Sequence, residues 1–189
     1  MKTTRTRTLA ALYALVAAAF LFTAGCKSTS SKPSAAAPAG AAGAQARATI
    51  EPRSGSNVSG WATFTERSRG GVRIEVHIEN ATPGTHGIHL HEKGDCSAPD
   101  ASSAGGHFNP GGMQHAGPMD AMRHAGDFGN ITIEANGTGH LDLVSDVLTV
   151  RPGPNSVVGK AIVFHEKVDD LKTQPSGNAG GRLGCGVVQ

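Results

Sequence analysis

The chain has 189 residues, enough for one domain with an appendage and for a core of real size. Aromatics make up only 4% of it and glycine reaches 26 residues, which disfavours a helical bundle and points to short segments joined by turns and long loops. The nominal charge of +2 sits at the N-terminus: without Lys2, Arg5 and Arg7 there are 14 basic against 15 acidic residues, a net of −1, and without Lys27, Lys32 and Arg47 the net is −4, with no basic run interleaved with aromatics to meet a nucleic acid.

The first element is a leader. Lys2, Arg5 and Arg7 precede an apolar run from Leu9 to Phe22, followed by Thr23-Ala24-Gly25-Cys26. A positive head, a short apolar core and small residues before a cut site make an export signal over residues 1–25. The run is too short for a comfortable membrane span. A Cys directly after Ala-Gly marks a bacterial lipid-attachment site, so Cys26 is expected to carry a lipid that anchors the chain to a bacterial membrane. Thr23 stands where a Leu is usual, and ordinary cleavage leaving a free Cys26 is the alternative. The expected location is the periplasm or cell envelope. Three cysteines in an exported chain leave one over, and with Cys26 lipidated Cys96 and Cys185 remain to pair in an oxidising compartment. Residues 26–46 are small, polar and Pro/Gly-spaced with nothing to bury, which reads as a lipidated Cys on a flexible tether.

From Arg47 the pattern changes to period two, opening a domain over residues 47–189. Val72, Ile74, Val76 and Ile78 alternate with Arg73, Glu75, His77 and Glu79, the mark of a half-buried strand. Asn57–Glu66 reads as another strand. Ile131–Ile133 and Leu141–Leu143 alternate around Asn136-Gly137, a hairpin signal. Val157–His165 and Leu183–Val188 complete the set, with Ala48–Pro52 and Gly87–Glu92 as shorter members. The prediction is all-β: an eight-stranded antiparallel sandwich or flattened barrel. Two stretches, Lys93–Gly126 and Glu166–Arg182, are Gly/Pro-rich and longer than ordinary connections, and they concentrate the polar residues, so they are expected to be functional loops.

His89-Leu90-His91 lies on a predicted strand, where residues two apart share a face and two imidazoles can chelate one ion. His165 ends another strand and can reach the same region. The first long loop adds His107, His115, His124 and Asp127, three nitrogens and one oxygen that make a tetrahedral zinc set. Four imidazoles suit copper, whose cupric form prefers a tetragonal nitrogen field.

Six segments sharpen this: GIHLHEKGDC (87–96), GGHFNP (105–110), HAGP (115–118), RHAGDFGN (123–130), FHEKVDDL (164–171) and GNAGGRLGCG (177–186). In order and spacing they resemble the copper/zinc superoxide dismutases, most closely the secreted bacterial branch, over residues 47–189. The resemblance implies a Greek-key fold and dismutation of superoxide to oxygen and hydrogen peroxide, protecting the cell envelope, with one copper and one zinc per subunit. It implies that His89, His91, His107 and His165 bind copper and that His107, His115, His124 and Asp127 bind zinc. His107 would be shared as an imidazolate and would deliver a proton, which makes it catalytic together with Arg182, the guanidinium that positions the anion. Asp169 would join a copper-bound to a zinc-bound imidazole, and Cys96–Cys185 would be the family disulfide. The branch includes both dimers and monomers, and a homodimer is expected. Lys93, Lys172 and Arg182 are the cations available to steer superoxide. Among the leftovers, His77 is read as solvent-facing, His86 as structural, His140 as surface, and Met113, Met119 and Met122 as loop packing.

Overall fold

The computed structural model describes residues 43–189; the expected leader, Cys26 and most of the expected tether lie outside them. Eight strands form: β1 Gln45–Pro52, β2 Ser59–Glu66, β3 Val72–Glu79, β4 Gly84–His91, β5 Asp127–Ile133, β6 Gly139–Ser145, β7 Ala161–His165 and β8 Arg182–Val187. All pair antiparallel in a closed barrel of order β1-β2-β3-β6-β5-β4-β7-β8. The β3–β6 and β4–β7 neighbours require the crossovers of a Greek key. Closure is uneven: β5 and β6 pair only at Ile133 and Gly139, and β1 and β8 only at Glu51–Cys185 and Pro52–Gly184.

The alternation in β3 does what it promises: Val72, Ile74, Val76 and Ile78 are all buried while their neighbours look outward. Phe64 from β2, Ile88 and Leu90 from β4, Ile131 from β5 and Ile162 and Phe164 from β7 meet them inside. Truncating one such side chain, for instance Leu90→Ala, would cost about 2–5 kcal/mol.

β4 and β7 differ from β3 in being buried on both faces. Ile88 and Leu90 point into the barrel, so His89 and His91 point out, beneath the two long connections. On β7, Ile162 and Phe164 face in, while Ala161 and Val163 pack outside with Ala101, Ala104 and the Cys96–Cys185 disulfide. That disulfide, with Cα atoms 5.8 Å apart, ties the first loop to β8. The loops span 92–126, with one short helical turn at Ser102–Ala104, and 166–181.

Some boundaries shift. β1 begins at Gln45, before the expected domain start at Arg47, because Ala46 reaches the core opposite Phe64. Val157–Lys160 is a turn, since Gly159 has φ +76° and Lys160 N–H closes back on the Val157 carbonyl. Asp127 opens β5 rather than ending the loop. The expected loop packing of the methionines is corrected: Met119 is 92% exposed, with Met113 and Met122 also exposed, because His115, His124 and Ala125 already fill the loop's inner side. His140 is exposed; His77 is half-buried, stacked on Trp61 with ring centroids 5.7 Å apart.

Candidate metal centre

Three local devices bring the polar side chains together. The first is a return of the long loop onto β4: Phe108 N–H donates to the Leu90 carbonyl at 2.7 Å, Leu90 N–H to Gly126 at 2.9 Å, and His91 bridges to His107. Gly126 permits this because a Cβ there would overlap the Leu90 carbonyl. The second and third are register shifts, between Gly87 and His89 against β5 and between Phe164 and His165 against β8. Bulges re-aim side chains; here they leave His89 opposite Asp127 and His165 opposite Arg182.

Two four-residue clusters result, His89-His91-His107-His165 and His107-His115-His124-Asp127, each with one candidate ligand atom per residue and all such atoms within 4.8 Å of one another. All seven residues are buried, and His107 belongs to both sets. Its Nδ1 lies 2.8 Å from Asp127 Oδ1, an oxygen that also faces His115 Nδ1 at 2.9 Å and His124 Nδ1 at 3.2 Å. His107 Nδ1 and His124 Nδ1 are 3.4 Å apart. Ligands bound at 2.0–2.1 Å around a tetrahedral ion stand about 3.3 Å from each other, so this spacing suits zinc.

In the other cluster His89 Nδ1 and His107 Nε2 are buried with no hydrogen-bond partner, and His91 Nε2 faces His165 Nε2 at 3.4 Å. Buried polar atoms are normally paired. Imidazole nitrogens left unpaired and turned toward one another fit a nitrogen-loving ion such as copper.

Electrostatics follow from burial. Desolvation, reinforced by neighbouring imidazoles, holds His91 and His165 well below the usual histidine range. It lowers His89 to about 4 despite the hydrogen bond to Asp169. These rings are neutral at pH 7 and keep the lone pairs a metal needs. For Asp127 and Asp169 burial opposes ionisation, but hydrogen bonds from His107 and His115, and from His115 and His89, outweigh it and hold both well below the carboxylate range. His115 feels the same burial, yet its bonds to both carboxylates raise it to about 9.

Asp169 joins the clusters: Oδ2 meets His89 Nε2 at 2.8 Å and Oδ1 meets His115 Nε2 at 2.9 Å. It is held by Asn130, whose amide donates to the Asp169 carbonyl at 2.9 Å and accepts its N–H at 2.8 Å. Arg182 sits in the cleft beside His91, His107 and His165. Its Nη1 and Nη2 donate to the carbonyls of Ala101 and Gly105, both at 2.8 Å. The Gly105 carbonyl also meets His91 Nδ1 at 2.9 Å, so guanidinium and imidazole share one anchor. Of the three expected steering cations only Arg182 lines the cleft. His86 stays outside both clusters, its ring nitrogens each 3.0 Å from a carbonyl, of His165 and of Thr82.

A family model described as copper/zinc superoxide dismutase matches residues 58–188. The chain belongs to that family. Its chemistry is therefore oxidoreductase chemistry on superoxide, with copper and zinc as cofactors. The extracellular copper/zinc superoxide dismutase of Brugia pahangi is 41% identical over 141 residues, covering 70% of this chain and 69% of that relative. The solved structure of the clock protein EA4 superposes with a TM-score of 0.70 at 38% identity, over 78% of this chain and 94% of that one. Sequence reasoning missed Asn130, which lies inside a quoted motif without a role, and Gln174, which no motif marks.

Proposed function

We propose that His89, His91, His107 and His165 hold the copper, that His107, His115, His124 and Asp127 hold the zinc, and that Arg182 binds the substrate anion. One observation carries this reading: a single buried ring, His107, belongs to both clusters, with Nδ1 at the Asp127 carboxylate and Nε2 on the opposite side without a protein partner. Bound copper supplies the one-electron couple that oxidises one superoxide to oxygen and reduces the next to peroxide.

The residues do the rest. His107 serves two ions only without a ring proton, because each nitrogen must present a lone pair. When no ion engages Nε2, that nitrogen would take up a proton from solvent between the half-reactions and would give it to peroxide, and a second solvent proton would complete hydrogen peroxide. Arg182, its plane pinned by two carbonyls, keeps a fixed positive charge where the anion enters. Asp169 orients the rings of His89 and His115 and raises their basicity. The Cys96–Cys185 disulfide supports Arg182 from β8, three residues away in the same strand.

The same proposal places the protein outside the cytoplasm, in the periplasm or cell envelope, with residues 1–25 as signal, Cys26 as lipid anchor and 26–46 as tether. The extracellular relative and the closed disulfide support export. A homodimer completes it, tested by light scattering of the purified domain. Metal analysis read alongside a superoxide assay tests the centre. The loaded protein should contain one copper and one zinc per chain, and Arg182→Ala should lower turnover about 10–100-fold, the worth of a charge-assisted hydrogen bond. Equal rates in variant and parent would remove Arg182 from the site.

A further inference from the structure

His115 lies in a stretch of loop with no strand or helix, so no ladder holds its backbone. Its ring is nevertheless fixed at both nitrogens, by Asp127 and by Asp169. The backbone is fixed as well, from the other loop: His115 N–H donates to Gln174 Oε1 at 2.8 Å, and Gln174 Nε2 donates to the His115 carbonyl at 2.8 Å. One carboxamide thus engages both polar groups of one residue, as a neighbouring strand would. The same Nε2 reaches the Lys172 carbonyl at 3.0 Å, which anchors the side chain to its own turn.

That turn is pressed against the pair it serves. Gly177 has φ +64°, and a Cβ there would overlap Asp169 Oδ1 and come within 2.7 Å of His115 Nε2. Gly177 N–H closes onto the Thr173 carbonyl at 2.6 Å, and Asp170 N–H onto Gly177 at 2.8 Å, so residues 170–177 form a tight cap over the His115–Asp169 contact. We infer that Gln174 is a positioning residue for the zinc side of the centre: it sets the backbone of His115 so that Nδ1 reaches the cluster while Nε2 reaches Asp169. The inference rests on His115 being a zinc ligand. It makes the second loop, which supplies no ligand of its own, a determinant of zinc affinity through one amide.

Gln174→Ala removes both bonds. Gln174→Glu keeps the shape and one acceptor but sets a second carboxylate oxygen against the carbonyls of His115 and Lys172. Zinc affinity, measured by competition with a chelator, should fall about 10–100-fold in both variants, as for other residues that orient ligands. Cobalt(II) placed in the zinc site should show shifted and weakened visible bands, because its ligand geometry has changed. In zinc-loaded wild type the His115 amide should exchange much more slowly than that of Gln114, a result that needs no variant to fold. Affinity within about twofold of wild type in either variant, unchanged cobalt bands, or a His115 amide exchanging as fast as Gln114 would each overturn the inference. A lower thermal midpoint of the metal-free variant with wild-type cobalt bands would also overturn it, since that is a structural role only. His115→Ala separates the two claims: if it binds zinc like wild type, the ligand assignment fails; if it loses zinc while the Gln174 variants keep it, only the positioning role fails.

Discussion

The outer surfaces of β3 and β4 follow the same geometric rule and end in opposite chemistry. On β3, His77 points out of the barrel, stacks on Trp61 and meets Glu79 Oε1 through Nε2 at 3.1 Å, its side chain 29% exposed. On β4, His89 points out of the same barrel and is not exposed at all. Period-two alternation places both imidazoles; what separates them is cover. The β1-β2-β3 surface meets solvent, whereas the loops at 92–126 and 166–181 close over β4 and β7, the first of them stapled to β8 by Cys96–Cys185. Cover turns an ordinary outward histidine into a desolvated, neutral imidazole able to ligate a metal, because burial penalises the imidazolium. It also removes water as a hydrogen-bond partner, which leaves His89 Nδ1 and His107 Nε2 without one among the described residues.

The largest test of that contrast is a pair of alanine substitutions. His107→Ala should remove the proposed shared ligand and the proposed proton-carrying atom together, lowering kcat/KM for superoxide by about 10²–10⁴-fold or more, the range for a general acid alone. His77→Ala, equally outward but uncovered, should leave turnover unchanged. Pulse-radiolysis rates on metal-loaded protein measure both, and a comparable loss in His77→Ala would break the distinction between the two faces.

Metal removal should be felt by one face far more than the other. At metal concentrations a thousandfold above Kd, binding stabilises the folded state by about 4 kcal/mol per site, which for a domain of this size corresponds to a melting shift of roughly 10 °C or more. Calorimetry with and without a strong chelator reads the shift. Hydrogen exchange should locate it, with protection lost across 92–126 and 166–181 and retained in β1–β3. Uniform loss across the barrel would mean that the covered face is not a separable unit.

Asp169→Asn is a finer cut, because it leaves every proposed ligand in place. The amide can satisfy only one of the two rings as an acceptor, so the bond to His89 or to His115 is lost. Affinity for copper or zinc should fall about 10–100-fold. Competition titrations for each metal decide which ring loses its partner.

The division between the faces also governs how much could be read in advance. β3 announces itself because one side is core and the other solvent. His86–His91 of β4 is buried on both sides, so no alternation marks it, and its full extent from Gly84 is hidden in a run of glycine, histidine and apolar residues. The clustering of the seven proposed ligands was legible for a different reason: such side chains recur in those short motifs, and family resemblance orders them. The amide clamps were not legible. Asn130 and Gln174 act across 39 and 59 positions with no periodicity, and an Asn or Gln in a loop carries no local sign of the backbone it will hold. The exposed methionines were misread because apolar residues in a loop are expected to pack, whereas here histidines had already taken the inner side.

The smallest expected effect falls on the open face, and it bounds the comparison from the other end. Trp61 is 43% exposed and touches His77 through a stacked ring contact, opposite Thr49 on β1. Such an aromatic contact adds about 0.5–1.5 kcal/mol beyond the area it covers, so Trp61→Ala should lower the thermal midpoint by only about 2–5 °C. Copper and zinc affinities and superoxide turnover should stay at wild-type values, because no loop carries the change from β2 to the cluster on β4. Melting curves, chelator competition and a superoxide assay on one preparation settle the matter. A loss of metal affinity in Trp61→Ala would show that strain crosses the barrel core, and that the open face helps to hold the covered one in shape.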